Sequence, residues 1–268
     1  MKSIYALSAL SAILAQEASN FEDERSLTLA QTFDALAEEL DERKFSAIVD
    51  MAYHKLEGNP NFLVETVHDG KNKRKNFAYM LQGYGCHCFP NGKASVGGKG
   101  KPVDALDEAC RALYRCHKCV DIENPENTCD LDNGGYKYQL NAGGAIGCAT
   151  PEKTPQCKSD QCSCDRKFAE TVYDLWTGND WSFNQDHWLN PRYVKAAEKN
   201  GLSVFDYDAT CVMGANVTPD ACCGDAFPNK VPYNSGMKEC CSVAAKPYNA
   251  ATDVCCDSGV QSAARGCF

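Results

Sequence analysis

Long apolar runs are missing from this chain: nowhere does it carry the roughly 18 to 20 consecutive apolar residues that a membrane-crossing helix needs, so the sequence predicts no transmembrane span. Positive charge is short as well. Lys and Arg number 27 against 36 Asp and Glu, giving a formal net charge of −9 and a pI near 5.1, which argues against nucleic acid or an anionic membrane as the main target. One local exception is the cluster Lys71, Lys73, Arg74 and Lys75, suited to an acidic polysaccharide or a lipid headgroup, with a solvated loop as the plainer reading. What the chain has in abundance is cysteine. Eighteen in 268 residues, an even number, point to a disulfide framework formed in an oxidising compartment. The N-terminus agrees: Met1-Lys2 is a short positive start, Ile4 to Leu14 is mostly apolar, and Ala15 and Ala18 offer cleavage points before a polar run. Residues 1–15 therefore read as a signal peptide, and the mature chain as secreted and extracellular.

Apolar positions Leu29, Phe33, Leu36, Leu40, Phe45, Ile48, Met51 and Leu56 recur at helical spacing across Ser26 to Lys55. The stretch Glu57 to Gly83 is rich in Gly, Asn, Pro and Lys and reads as loop. From Pro102 to Cys119, Val103, Leu106, Cys110, Leu113 and Tyr114 again keep helical spacing, with Asp104 and Asp107 early, where the helix dipole favours carboxylates. A polar, Gly-rich segment with Tyr136 and Tyr138 suits a short hairpin, and a second long helix is expected from about Gln156 to Trp176.

The segment Tyr84-Gly85-Cys86-His87-Cys88, continued by Gly98 to Cys110, resembles the calcium loop and following helix of secreted phospholipase A2. Cys157, Cys162, Cys164 and Asp165 repeat the spacing of that family's second helix. The resemblance implies a mainly α, disulfide-rich fold: a phospholipase A2-like core of two long antiparallel helices with a small hairpin, here followed by a small disulfide-stapled repeat module. It also implies the bridges Cys88 with Cys110, Cys116 with Cys164, Cys129 with Cys157, Cys148 with Cys162, and Cys86 with Cys211. Cys119 is left without a mate. The family's adjacent cysteine before Cys110 is Ala109 here, and its partner position is Thr171, so both ends of one bridge are absent together. The expected organisation is 1–15 signal peptide, 16–43 helical extension, 44–211 phospholipase A2-like domain and 212–268 repeat module.

In the family a His base stands beside an Asp calcium ligand, and a second Asp orients the His, which takes a proton from the attacking water. Counting from Cys110 puts Leu113 and Tyr114 where the His and its neighbouring Asp belong; a slip of one puts Tyr114 and Arg115 there. Asp165, the orienting carboxylate, is retained with no His at that place, so its ordinary role is a carboxylate satisfied by Tyr hydroxyls or backbone amides. His117, one turn beyond Leu113, is the alternative base in a displaced His–Asp pair, against the plainer reading of a polar His at a helix end. The calcium-binding carbonyls would be those of His87, Phe89 and Gly97. Without the carboxylate, weak calcium binding or none is expected.

Residues 212–268 differ in kind. Cys222-Cys223, Cys240-Cys241 and Cys255-Cys256 are adjacent pairs, and Pro232-Tyr233-Asn234 and Pro247-Tyr248-Asn249 each place Tyr seven residues before a pair. This resembles the Cys-Cys repeats of galaxin-type proteins, associated with extracellular organic matrices. Each pair is expected to link in two directions, stapling a chain too short and polar for its own core. Asn216-Val217-Thr218 has the form of a glycosylation sequon. Trp176, Trp181 and Trp188 cluster between the modules, as a sugar- or interface-binding surface or, more plainly, as an anchor for the tail. The expected function is that of a catalytically inactive structural or binding component of an extracellular matrix, with matrix proteins or polysaccharide as partners and phospholipid as a further one. The alternative is a calcium-dependent phospholipase A2 with a rearranged site, cleaving the sn-2 ester.

Overall fold

The computed structural model describes residues 42–57, 77–78, 81–89, 97–125, 136–152, 154–178, 187, 205–214 and 217–267, and residues 43–268 cluster as one compact unit. Helix α1, Glu42–Leu56, carries Ile48, Val49, Met51, Ala52 and Leu56 into the core at 2% exposure or less, the outcome of apolar residues recurring every three or four positions. The helical stretch before it, the signal segment, Lys71, Lys73, Arg74, Lys75, Trp181 and Trp188 lie outside the described residues. Residues 77, 78 and 81 are helical, which corrects the reading of 57–83 as loop. The loop-forming Gly, Asn and Pro residues stand mainly before this point, whereas Phe77 and Leu81 lie a turn apart and bury fully.

Helix α2, Ala105–Glu123, starts where Asp104 caps it, its side chain accepting the Asp107 amide. Helix α3, Gln156–Thr177, follows Pro155, placed where the helix needs no amide donor, and stops at Gly178. Between them β1, Tyr138–Leu140, pairs antiparallel with β2, Ile146–Cys148, around a 3-10 turn at Ala142–Gly144. The two helices run antiparallel: Cys116 is bridged to Cys164, while Glu123, further along α2, shares the field of Lys230 with Asp160, earlier on α3. Leu106, Leu113 and Val120 from α2 meet Phe168, Ala169 and Val172 from α3 in one core with α1. Fully burying a side chain of this size stabilises the fold by about 1.5–3 kcal/mol.

Beyond the single turn α4, Tyr207–Thr210, the helices give way to short antiparallel pairs. Strands β3 (Ala221–Cys223) and β4 (Val231–Tyr233) pair, as do β5 (Glu239–Cys241) with β6 (Lys246–Tyr248), and β7 (Asp253–Cys256) with β8 (Gly259–Ser262). The mainly α character thus belongs to residues 42–178. Successive strand residues face opposite ways, so adjacent cysteines send their sulfurs apart. The first of each pair bonds backward and the second forward: Cys119–Cys222, Cys223–Cys240, Cys241–Cys255 and Cys256–Cys267. Asn234 and Asn249 close the connections between hairpins, each carbonyl accepting amides three and four residues on. Among the described residues no helix is long and apolar enough to cross a membrane.

Candidate functional site

The N-terminus of α2 organises the loop that precedes it. Asp107 is fully buried, and its carboxylate accepts the amides of Cys86 at 2.9 Å, His87 at 2.7 Å and Val103 at 3.0 Å. Backbone reaches the carboxylate this closely only because Gly85 has no side chain: a Cβ there would stand 2.4 Å from the Asp107 Cγ. The second arm is as tight, since a Cβ on Gly98 would lie 2.2 Å from the Cys86 carbonyl oxygen. Phe89 takes φ 50 in the left-handed region, and its side chain is 1% exposed. Burial of the ring holds a backbone conformation that a non-glycine residue rarely adopts.

His87 closes this loop from inside. Its ring is 4% exposed, Nε2 lies 3.2 Å from the Gly100 carbonyl, and Nδ1 is buried without a partner. That contact makes Nε2 the protonated nitrogen, and burial lowers the pKa of the ring from its ordinary value. Asp104 ties in the tail: its carboxylate accepts from the Tyr84 hydroxyl and stands 3.3 Å from His187 Nδ1, while the Gly85 amide donates to the His187 carbonyl. Cys86–Cys211 brings α4 over the same loop, with Lys99 and Asp208 paired at 2.6 Å.

The positions read as catalytic fall on the α2–α3 contact. Leu113 is 2% exposed within the core, and Tyr114 is half-buried against it. Asp165 is fully buried; its Oδ1 is 2.5 Å from His117 Nε2, and its Oδ2 accepts from the Tyr136 hydroxyl. Burial, reinforced by the charge of Asp165, holds the Tyr136 phenol well above its ordinary pKa, so it remains a donor. The structure therefore brings His117 and Asp165 together, but the ring is 4% exposed and its Nδ1 is buried without a partner. With Nε2 on Asp165, no nitrogen of His117 faces a reacting water.

Carbonyl donors for calcium fare poorly. The His87 carbonyl accepts the Phe89 amide at 3.0 Å, a side chain at Gly97 would meet nothing within 4 Å, and both oxygens of Asp107 are taken by backbone amides. Among the described residues no group of three His, Cys, Asp or Glu can hold a metal ion, and a site of carbonyls alone suits calcium badly. Disulfides join Cys86 to Cys211, Cys88 to Cys110, Cys116 to Cys164 and Cys148 to Cys162. Cys157 is also bridged, while Cys129 lies outside the described residues. Cys119 finds its mate in Cys222, a pairing that spacing within the family-like region could not suggest. Sequence reading also missed Asp107 as the loop's tie and His187 as a partner of Asp104. The signal for the first was available: two carboxylates three residues apart at a helix start, one a cap and the other free to turn inward.

A phospholipase A2 family model matches residues 63–182. Acutohaemolysin, a basic phospholipase A2 homolog of Deinagkistrodon acutus, is 34% identical over 130 residues, 48% of this chain and 78% of that protein. The membrane-associated phospholipase A2 of Mus musculus is 31% identical over 115 residues, 43% of this chain and 68% of that protein. Promutoxin, a basic phospholipase A2 homolog of Protobothrops mucrosquamatus, is 37% identical over 100 residues, and there the chain spans only 59% of the relative's length.

Proposed function

The chain belongs to the phospholipase A2 family, and from that premise we propose that it is a secreted member without hydrolytic activity, serving as a structural or binding component of an extracellular matrix. The observation that carries this reading is the burial of Leu113 and the commitment of Asp165 to His117 and Tyr136. A base must present a lone pair to water, and the family positions hold an alkyl side chain and a phenol. The domain is kept as a rigid cross-linked platform, and residues 212–268, which resemble galaxin repeats, extend it as a disulfide ladder. A chain of 18 cysteines fits an extracellular setting.

The 2.5 Å contact of His117 with Asp165 favours the second reading, a phospholipase A2 with a displaced His–Asp pair. It needs α2 and α3 to part so that the imidazole meets a substrate. The bridge Cys116–Cys164, next to both residues, opposes this.

The double substitution Leu113→His and Tyr114→Asp separates the two. If the family positions alone are at fault, this variant releases fatty acid from phosphatidylcholine vesicles in millimolar calcium where the unmodified protein releases none. Release by the unmodified protein as fast as by the variant contradicts the proposal.

A further inference from the structure

We propose that Arg111, Arg115 and Lys118 on α2 form a binding stripe for the sulfate groups of a linear anionic polysaccharide. Residues at i, i+4 and i+7 share one helix face, so these cations span about 10 Å along it at 1.5 Å per residue. Such a row matches a charged chain better than a single small anion. Arg111 pairs with Glu108 at 2.5 Å, yet its Nε is buried without a partner. Neither the Arg115 guanidinium nor the Lys118 ammonium has a side-chain partner among the described residues. Arg115 is half-buried, and burial together with the charge of Arg111 lowers its pKa. Glu108 is the one carboxylate paired with the row among the described residues; the oxygens of Asp107 face inward to amides, and Glu123 is taken by Lys230 at 2.6 Å.

A half-desolvated guanidinium with no side-chain partner among the described residues gains from an oxyanion, and the guanidinium fork matches a sulfate or phosphate edge with paired hydrogen bonds. Exposed Ala112 leaves the space beside Arg111 and Arg115 open. A polysaccharide is favoured over a bilayer because, among the described residues, the exposed large apolar ones, Leu140, Val212, Met213, Val217, Met237 and Val243, all lie off α2. An interfacial helix needs an apolar face to insert. The proposal rests on the matrix-binding part of the reading above, and is independent of whether the chain hydrolyses lipid.

The test is binding of the full secreted chain to immobilised heparin, used as a sulfated probe, at low and physiological salt. The unmodified chain should bind in a salt-sensitive way. Arg111→Gln with Arg115→Gln should weaken it about tenfold, as expected for loss of two part-exposed charge contacts. Ala112→Glu, at an exposed position that folding does not use, should weaken it comparably, whereas Lys238→Gln with Lys246→Gln on the ladder should leave it unchanged. Inorganic sulfate should compete. The stripe is overturned if the unmodified chain ignores heparin, if phosphatidylserine vesicles capture it while heparin does not, or if the Arg111, Arg115 and Ala112 variants bind normally. If binding is lost instead in a variant lacking the charges of Lys71, Lys73, Arg74 and Lys75, the stripe fails and the matrix reading stands.

Discussion

Two buried carboxylates, Asp165 and Asp107, each tie several groups of the fold together. Asp165 satisfies a Tyr hydroxyl and an imidazole inside the helix pair, so Asp165→Ala strands both partners. At about 1–3 kcal/mol for each orphaned group, unfolding in denaturant should show a loss of about 2–6 kcal/mol; a variant as stable as the parent would mean that Asp165 is held for chemistry rather than for the fold. Asp107 plays the matching part in the loop, where three amides depend on it. His87 makes that loop sensitive to acid. Its pKa is lowered by burial, so protons are bound more readily by the unfolded chain. Its contribution is complete above the ordinary histidine value of about 6.5 and is lost as pH falls below it toward the lowered folded value. Thermal unfolding from pH 8 to 4 should therefore show a shallower acid decline in His87→Gln, in which the amide can still donate to the Gly100 carbonyl. An unchanged decline would remove His87 as a source.

Helices α2 and α3 are tied by Cys116–Cys164 and the hairpin by Cys148–Cys162, and these elements were readable because cysteine spacing and apolar period agree. The pattern Val103, Leu106, Cys110, Leu113 marks the buried face of α2, and burial of Leu106, Cys110 and Leu113 follows it. The turn at Phe77 and Leu81 was not readable, since the unbroken apolar run from Phe77 to Leu81 after a Lys- and Asn-rich stretch shows no helical period. Nor was the mate of Cys119, because it depends on how the ladder meets α2. The bridge Cys119–Cys222 is supported beside it by Lys230 on Glu123 at 2.6 Å. Removing it with Cys119→Ser and Cys222→Ser should lower the stability of the ladder's attachment by about 2–4 kcal/mol, read as a separate earlier transition in calorimetry. A single unchanged transition would show that the bridge adds nothing.

Across the whole molecule, the inner staples of residues 212–268 close within that segment, at separations of 17, 14 and 11 residues, whereas Cys119–Cys222 reaches outside it. We therefore propose the segment as a separable module: a chain ending at Cys211 and carrying Cys119→Ser should still be secreted folded, and failure to secrete it would move the boundary. On this proposal the platform it leaves behind is a phospholipase A2 domain in which the Asp165 carboxylate serves structure. That claim is tested most directly by fatty-acid release from phosphatidylcholine vesicles by the unmodified chain in millimolar calcium, with His117→Ala alongside. The account predicts no release above the buffer rate from either protein; robust calcium-dependent release by the unmodified chain, abolished in a folded His117→Ala, would contradict it.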